Sequence, residues 1–106
     1  MSYAKVIAEG FAHKIKLEIT EKKKIELLTF TVIVPGKDEE QATFIEVRAW
    51  GQKAIMFHSI LSKGEYVKVE GRLKTKVTEY TNAQGEIKNF HDWGVIAKSV
   101  ELPHRV

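Results

Sequence analysis

The 106-residue chain is long enough for one domain with a modest core, and its 43% hydrophobic and 29% charged residues are typical of a folded globular protein. It has no cysteine, which excludes a disulfide framework and a thiolate metal site. Its 17 Lys and Arg against 14 Asp and Glu give a net charge of +3, which is compatible with nucleic acid without requiring it.

The first predicted element is a long strand, Lys5–Ile19, in which apolar and polar residues alternate. Gly10 interrupts the alternation, and a glycine within a long strand predicts a bend or bulge, as at the corner of a small barrel. The preceding segment, Met1–Val6, has no continuous apolar stretch of the signal-peptide type, and no later run is long enough to cross a bilayer. We therefore expect a cytoplasmic protein with no membrane partner.

Two more strands follow. A polar turn at Thr20–Lys24 precedes the second strand, Ile25–Val34, and a loop that begins at Pro35 leads to the third, Thr43–Trp50. The turn contains the triple lysine Lys22–Lys24 among nearby glutamates, which favours a solvated turn over a binding site.

The apolar period then changes to that of a helix, Gln52–Leu61. Gly51 opens it, and Gly64 follows its end as a C-cap glycine would. A fourth strand, a hairpin tip and a fifth strand complete the chain at Tyr66–Tyr80, Asn82–Gly85 and Ile87–Leu102.

Three strands, one helix and two strands predict an all-β fold: a five-stranded OB-fold barrel with one short helix between strands 3 and 4. We detect no internal repeat, low-complexity tract or linker, so residues 1–106 are predicted to form a single OB-fold domain. OB-folds bind oligonucleotides and oligosaccharides, but topology alone does not decide the function.

The third strand carries an unusual outer face. Its inner residues are apolar, and its outer residues are Phe44, Glu46, Arg48 and Trp50. Single-stranded nucleic acid needs flat aromatic faces for its unstacked bases and cations along its backbone. Two large aromatic side chains that flank an arginine on a solvent face therefore indicate a binding partner.

The fourth strand adds positive charge. Its inner register is predicted to be Val67, Val69, Gly71, Leu73, Thr75 and Val77. Its outer register contains four cations, Lys68, Arg72, Lys74 and Lys76. Alternate residues of a strand lie about 7 Å apart, close to the phosphate separation of an extended single strand. With strands 3 and 4 as neighbours, the sequence predicts an aromatic patch beside a basic stripe, which Lys14 and Lys16 are candidates to extend.

Other interpretations of these residues stay open. Cations on an outer strand face also promote solubility and protect sheet edges. For Phe44 and Trp50, the alternative to base stacking is burial under a loop or in a subunit interface, which the pattern favours less. Trp93 precedes an apolar segment, Gly94–Ala97, so core packing explains it as well as base stacking does.

The sequence offers little support for catalysis. None of the histidines, His13, His58, His91 and His104, has a second histidine at metal-ligand spacing. No glycine-rich phosphate loop, nucleophile elbow or zinc-binding helix motif occurs. We predict no enzymatic activity, no catalytic residues, no metal and no cofactor.

Two segments carry a family resemblance. The segment Thr43–Gly51, TFIEVRAWG, and the segment Leu61–Thr75, LSKGEYVKVEGRLKT, are similar to the third strand and to the L-x-K-G-x-x-V-x-V-x-G-x-L stretch of the bacterial single-stranded DNA-binding protein family. A weaker likeness covers Lys5–Gly10. The resemblance implies an OB-fold, usually assembled as a homotetramer, that wraps single-stranded DNA without sequence preference.

The resemblance also implies site residues. Family stacking aromatics fall on Phe44 and Trp50, and the aromatic of the fourth-strand hairpin corresponds best to Tyr80. Basic family positions fall on Arg48, Arg72, Lys74 and Lys76. With Trp93 added from its position in the fifth strand, the predicted nucleic-acid site is Phe44, Arg48, Trp50, Arg72, Lys74, Lys76, Tyr80 and Trp93.

Two departures from the family pattern modify the expectation. The chain stops at Pro103–Val106 without the acidic tail that recruits replication and repair proteins in this family, which suggests a short form. The loop at Pro35–Gln41 lacks an aromatic residue, so one stacking platform is missing.

The prediction is thus non-catalytic, largely sequence-independent binding of single-stranded DNA in replication, recombination or repair. The protein is expected to be a cytoplasmic, nucleoid-associated homo-oligomer, a tetramer or a dimer, with replication proteins as further candidate partners. Two alternatives are a tail-less adaptor of the replication or primosome machinery that acts through protein contacts, and an RNA-binding OB domain, because stacking does not read the sugar.

Overall fold

The computed structural model describes residues 4–38 and 41–104, except for the side chains of 76–78 and 90–93. The elements are β1 Lys5–Ile19, β2 Glu26–Val34, β3 Thr43–Trp50, α1 Gln52–Ile60, β4 Tyr66–Thr81 and β5 Ile87–Glu101. The strands close into a barrel in the order β1-β2-β3-β5-β4. The predicted five-stranded OB-fold with one helix between β3 and β4 is confirmed.

The barrel interior is filled by one side of each strand, as the period of two predicts. The buried hydrophobic residues of the described strands are Ala8, Ala12, Leu28, Phe30, Val32, Val47, Ala49, Val67, Val69, Val95 and Ala97. Ala54 and Phe57, one turn apart on α1, join the same cluster and hold the helix against the barrel. The core is therefore built mainly from alanine and valine, with Leu28, Phe30 and Phe57 as its larger members.

The helix ends one residue before its predicted end, because the backbone of Leu61 is already extended, with φ −81° and ψ 138°. The prediction that Gly64 caps the helix is wrong. Gly64 lies in the turn after the helix with φ 82°, and its N–H donates to the carbonyl of Ala12 over 2.7 Å. This glycine ties the turn to β1.

The predicted irregularity of β1 occurs at another residue. The pairing with β2 changes register between His13 and Lys16, where Lys14 has φ 53°, so the bulge lies at Lys14 and not at Gly10. Gly10 is instead a site of close approach, because a Cβ there would lie 2.1 Å from the carbonyl oxygen of Ile33. It stands where β1 leaves β4 and begins to pair with β2.

The buried register of β4 ends at Gly71, so the inner positions predicted for Leu73 and Thr75 are wrong, whereas the side chain of Val77 lies outside the described residues. Leu73 is 38% exposed, and Thr75 is exposed as well. The reason is that pairing with β1 stops at Arg72, while pairing with β5 continues to Thr81. Residues 73–81 and 87–94 thus form a two-stranded extension beyond the pairing with β1, called the arm below.

Candidate nucleic-acid interface

The outer face of β3 has the arrangement that the alternation predicts. Val47 and Ala49 are buried, whereas Phe44 is 62% exposed and Trp50 is 41% exposed. The two rings occupy opposite ends of the strand, and Arg48 lies on the same face between them. Six residues of strand, or about 20 Å, separate the two rings, so they are two exposed aromatic surfaces on one face and not one continuous patch.

Arg48 is engaged by its own strand. Its Nε donates to Oε1 of Glu46, two residues earlier on the same face, over 2.6 Å. An exposed pair of this kind contributes little to stability, but it reduces the positive charge that Arg48 presents to a ligand. The guanidinium still has donors beyond Nε that this bond does not use.

The strand order corrects one expectation: β3 and β4 are not neighbours, because β5 lies between them. Arg48 of β3 is paired with Ile96 of β5, and Ile96 is paired with Arg72 of β4. Strands in a sheet lie about 4.8 Å apart, so the two arginine backbones are separated by roughly 10 Å across Ile96. The arginines therefore belong to one surface even though their strands do not touch.

This cross-strand row continues around the barrel. The pairings place Thr29 beside Arg48 and Lys16 beside Thr29 on one side, and Lys5 beside Arg72 on the other. We call Lys16, Thr29, Arg48, Ile96, Arg72 and Lys5 the basic row. Sequence reasoning missed Lys5, because its position beside Arg72 depends on the pairing of β1 with β4.

The cations of the basic row differ in how far they are neutralised. Lys5 Nζ lies 3.0 Å from Glu70 Oε1, and Lys16 Nζ lies 3.4 Å from Glu18 Oε2. The hydrogen bond and the charge of Lys5 lower the pKa of the Glu70 carboxyl. Among the described side chains, Arg72 and the neighbouring Lys74 have no ion-pair partner, so they are the strongest sources of unneutralised positive charge here.

Other predicted site residues lie on the arm. Lys74 is exposed opposite Gly94 of β5, and Tyr80 is exposed opposite Lys88. At about 3.3 Å per residue, Tyr80 lies roughly 20 Å along β4 from Lys74, toward the tip of the arm. The backbones of Lys76 and Trp93 pair within the arm, but their side chains lie outside the described residues.

A cavity that sequence reasoning missed adjoins Trp50. It has a volume of about 550 Å³ and is lined by Thr20, Glu21, Lys22, Lys23, Ile25 and Trp50. The available signal was the triple lysine of the β1–β2 turn, but only the pairing of β2 with β3 brings that turn to the end of β3.

The described residues contain no group of three His, Asp or Glu side chains able to hold a metal ion. Within the same part of the chain, no helix has the length and apolar character that crossing a membrane requires.

Comparisons with known proteins agree with this architecture. The structure of the mitochondrial single-stranded DNA binding protein Rim1 from S. cerevisiae is similar, with a TM-score of 0.72, 16% identity and 96% of each chain covered. At that identity the likeness shows the fold. A search of curated proteins found no match. The model of the single-strand binding protein family matches residues 5–102, which confirms both the predicted family and the predicted lack of catalysis. The chain therefore belongs to the single-strand binding protein family, whose members are non-catalytic DNA-binding proteins.

Proposed function

We propose that this chain binds single-stranded DNA with little sequence preference, stacking bases on Phe44 and Trp50 while Arg48, Arg72 and Lys74 contact phosphates. The observation that carries the proposal is the outer face of β3, where two exposed aromatic rings flank a cation. Every base has a π-face, so stacking on such rings tolerates any sequence. Membership in the single-strand binding protein family supports DNA as the ligand.

The same arrangement supports a path for the DNA backbone. The basic row crosses β3, β5 and β4, and the half-buried Ile96 separates its two arginines. A backbone that crosses these strands meets Arg48 and then Arg72, and it can continue to Lys74 at the base of the arm. Lys76, Tyr80 and Trp93 would serve a longer strand that follows the arm.

Self-association is part of the proposal, as a dimer or a tetramer. It is supported by Ile7, which is 55% exposed on the outer face of β1 beside the Lys5–Glu70 ion pair. Sedimentation velocity of the wild type and of Ile7→Glu tests this, and a monomer in both would contradict it. We assign the protein to the handling of exposed DNA strands in replication, recombination or repair, in the compartment that holds the DNA.

A second candidate function, a protein-interaction adaptor, is favoured by the same exposed apolar residue. In that case Ile7 would meet a replication protein, and the affinity for DNA would be weak. The adaptor function predicts that Ile7→Glu abolishes partner binding but leaves oligo-dT binding unchanged.

The deciding experiment is a titration with oligo-dT, followed by tryptophan fluorescence at low and high salt. Replacing Trp93 by Phe leaves Trp50 as the remaining tryptophan, because the chain has two. Strong quenching that weakens with salt would support stacking on Trp50. An absence of binding at low salt would overturn the proposal. Competition with oligo-rU then measures the preference for DNA over RNA.

A further inference from the structure

The β1–β2 turn is held in a defined shape by its backbone. The N–H of Thr20 donates to the carbonyl of Ile25 over 2.9 Å, and the N–H of Lys24 donates to the carbonyl of Thr20 over 2.9 Å. The Thr20 hydroxyl adds a bond of 3.1 Å to the Ile25 carbonyl. The turn is thus closed on itself before any ligand arrives, which lowers the entropic cost of binding to it.

The turn is also fixed relative to Trp50. Leu27, at the start of β2, pairs with Trp50, and the N–H of Gly51 donates to the carbonyl of Glu26 over 2.9 Å. These contacts bring the turn next to the indole, and an open cavity of about 550 Å³ is lined by both. A volume in this range suits a compact organic group such as a nucleobase.

The lining of the cavity combines the two features that a nucleotide requires. Trp50 and Ile25, both partly exposed, supply apolar surface, and Lys22 and Lys23 supply positive charge. Neither lysine has an ion-pair partner among the described residues. Glu21 also lines the cavity, so the charge there is positive by one unit, from two lysines and one glutamate.

We infer that this cavity is a nucleotide subsite of the proposed DNA-binding surface: a base packs between Trp50 and Ile25, and Lys22 and Lys23 contact the flanking phosphates. The inference rests on the proposed function and extends it beyond β3. It places the β1–β2 turn at one end of the DNA path, next to Trp50 and on the far side from the arm.

The test measures oligo-dT affinity of the full chain at several salt concentrations for Lys22→Gln and Lys23→Gln. The matched control is Lys63→Gln, an exposed lysine in the turn after α1 and outside the cavity lining. Each cavity variant should lower the slope of log affinity against log salt by about 0.7, which corresponds to roughly 5-fold weaker binding near 0.1 M salt. Lys63→Gln should leave the slope unchanged.

Glu21→Gln gives an independent test of opposite sign, because removing the carboxylate from the cavity should tighten binding. Wild-type slopes in the cavity variants, with normal oligo-dT binding, would overturn the subsite and leave the proposed function standing. A wild-type chain that does not bind oligo-dT at low salt would overturn both. Equal losses in the cavity variants and in Lys63→Gln would indicate general charge attraction and would also overturn the subsite.

Discussion

Arg48 and Arg72 lie on opposite sides of one residue, since both are paired in register with Ile96 of β5. Both side chains are exposed, and Val95 and Ala97, on either side of Ile96, are buried. The two arginines therefore face solvent on one surface. This relationship joins the aromatic face of β3 to the positive charge of β4.

Replacing Arg72 by Gln should lower the salt slope of oligo-dT binding by about 0.7, because one phosphate contact is lost from a single strand. The measurement is affinity at several salt concentrations, with Lys63→Gln as the control of equal charge change. Since Arg72 is exposed, the free energy of unfolding should stay within about 0.5 kcal/mol of the wild type. An unchanged slope would remove Arg72 from the interface.

Replacing Trp50 or Phe44 by Ala should weaken oligo-dT binding by about 1–3 kcal/mol each, the usual value of one stacked base. The salt slope should hardly change, because no charge is removed. Met56→Ala, an exposed apolar residue on α1, is the control for nonspecific loss of apolar surface and should leave affinity unchanged. A fall in salt slope in the Trp50 variant equal to that in the Arg72 variant would contradict the separate roles.

Replacing Glu46 by Gln should tighten DNA binding. The change removes the carboxylate that accepts from Nε of Arg48 over 2.6 Å, so the positive charge of the guanidinium is no longer offset. An exposed pair is worth about 0.2–1 kcal/mol, so we expect an affinity gain of roughly 1.4- to 5-fold. Most of the gain should vanish in an Arg48→Gln background, which a double-mutant cycle measures. A gain that persists there would mean that Glu46 acts on the DNA directly.

Replacing Gly71 by Ala should destabilise the barrel. A Cβ at this buried position would lie 2.1 Å from the carbonyl oxygen of Ile96, which cannot move without breaking the β4–β5 pairing. The cost of such overpacking is about 1–3 kcal/mol or more, read from the urea midpoint. Gly94→Ala is the matched control, because its Cβ would lie 3.3 Å from the carbonyl oxygen of Glu46, and a smaller loss is expected. Equal losses would contradict this explanation.

Tyr66 should make the stability fall at high pH. Burial, followed by the charge and the 3.3 Å hydrogen bond of Glu9, raises the pKa of the Tyr66 hydroxyl above 10.0. The stabilisation of the folded state by the protonated Tyr66 hydroxyl is therefore complete below about pH 10, and it is lost as the pH rises through the raised pKa. Urea unfolding from about pH 8 to pH 11 should show a wild-type advantage over Tyr66→Phe that shrinks above pH 10. If the difference in stability between the wild type and Tyr66→Phe stayed constant over this pH range, the titration of Tyr66 would not be the cause of the loss at high pH.

Local patterns in the sequence were sufficient to predict where the strands lie and which residues form the outer face of β3. The predicted bounds of β3, Thr43–Trp50, agree with the structure, because alternation along one strand depends on which face is buried and not on which strand is next. The same local reasoning placed Phe44 and Trp50 in solvent with Arg48 between them, and the family resemblance rested on this segment.

The tertiary structure decided how these faces combine. Because strand order depends on pairing between distant segments, the sequence did not show that β5 separates β3 from β4, or that Lys5 lies beside Arg72. For the same reason the sequence could not show where burial ends in β4. Its apolar–polar alternation continues past Gly71, but the buried register stops where β1 no longer pairs with β4. The cavity beside Trp50 could not be predicted either, because it forms only when the β1–β2 turn is folded and the β2–β3 register brings that turn to the end of β3. Local period determines which residues face outward, whereas long-range pairing determines which outward residues meet.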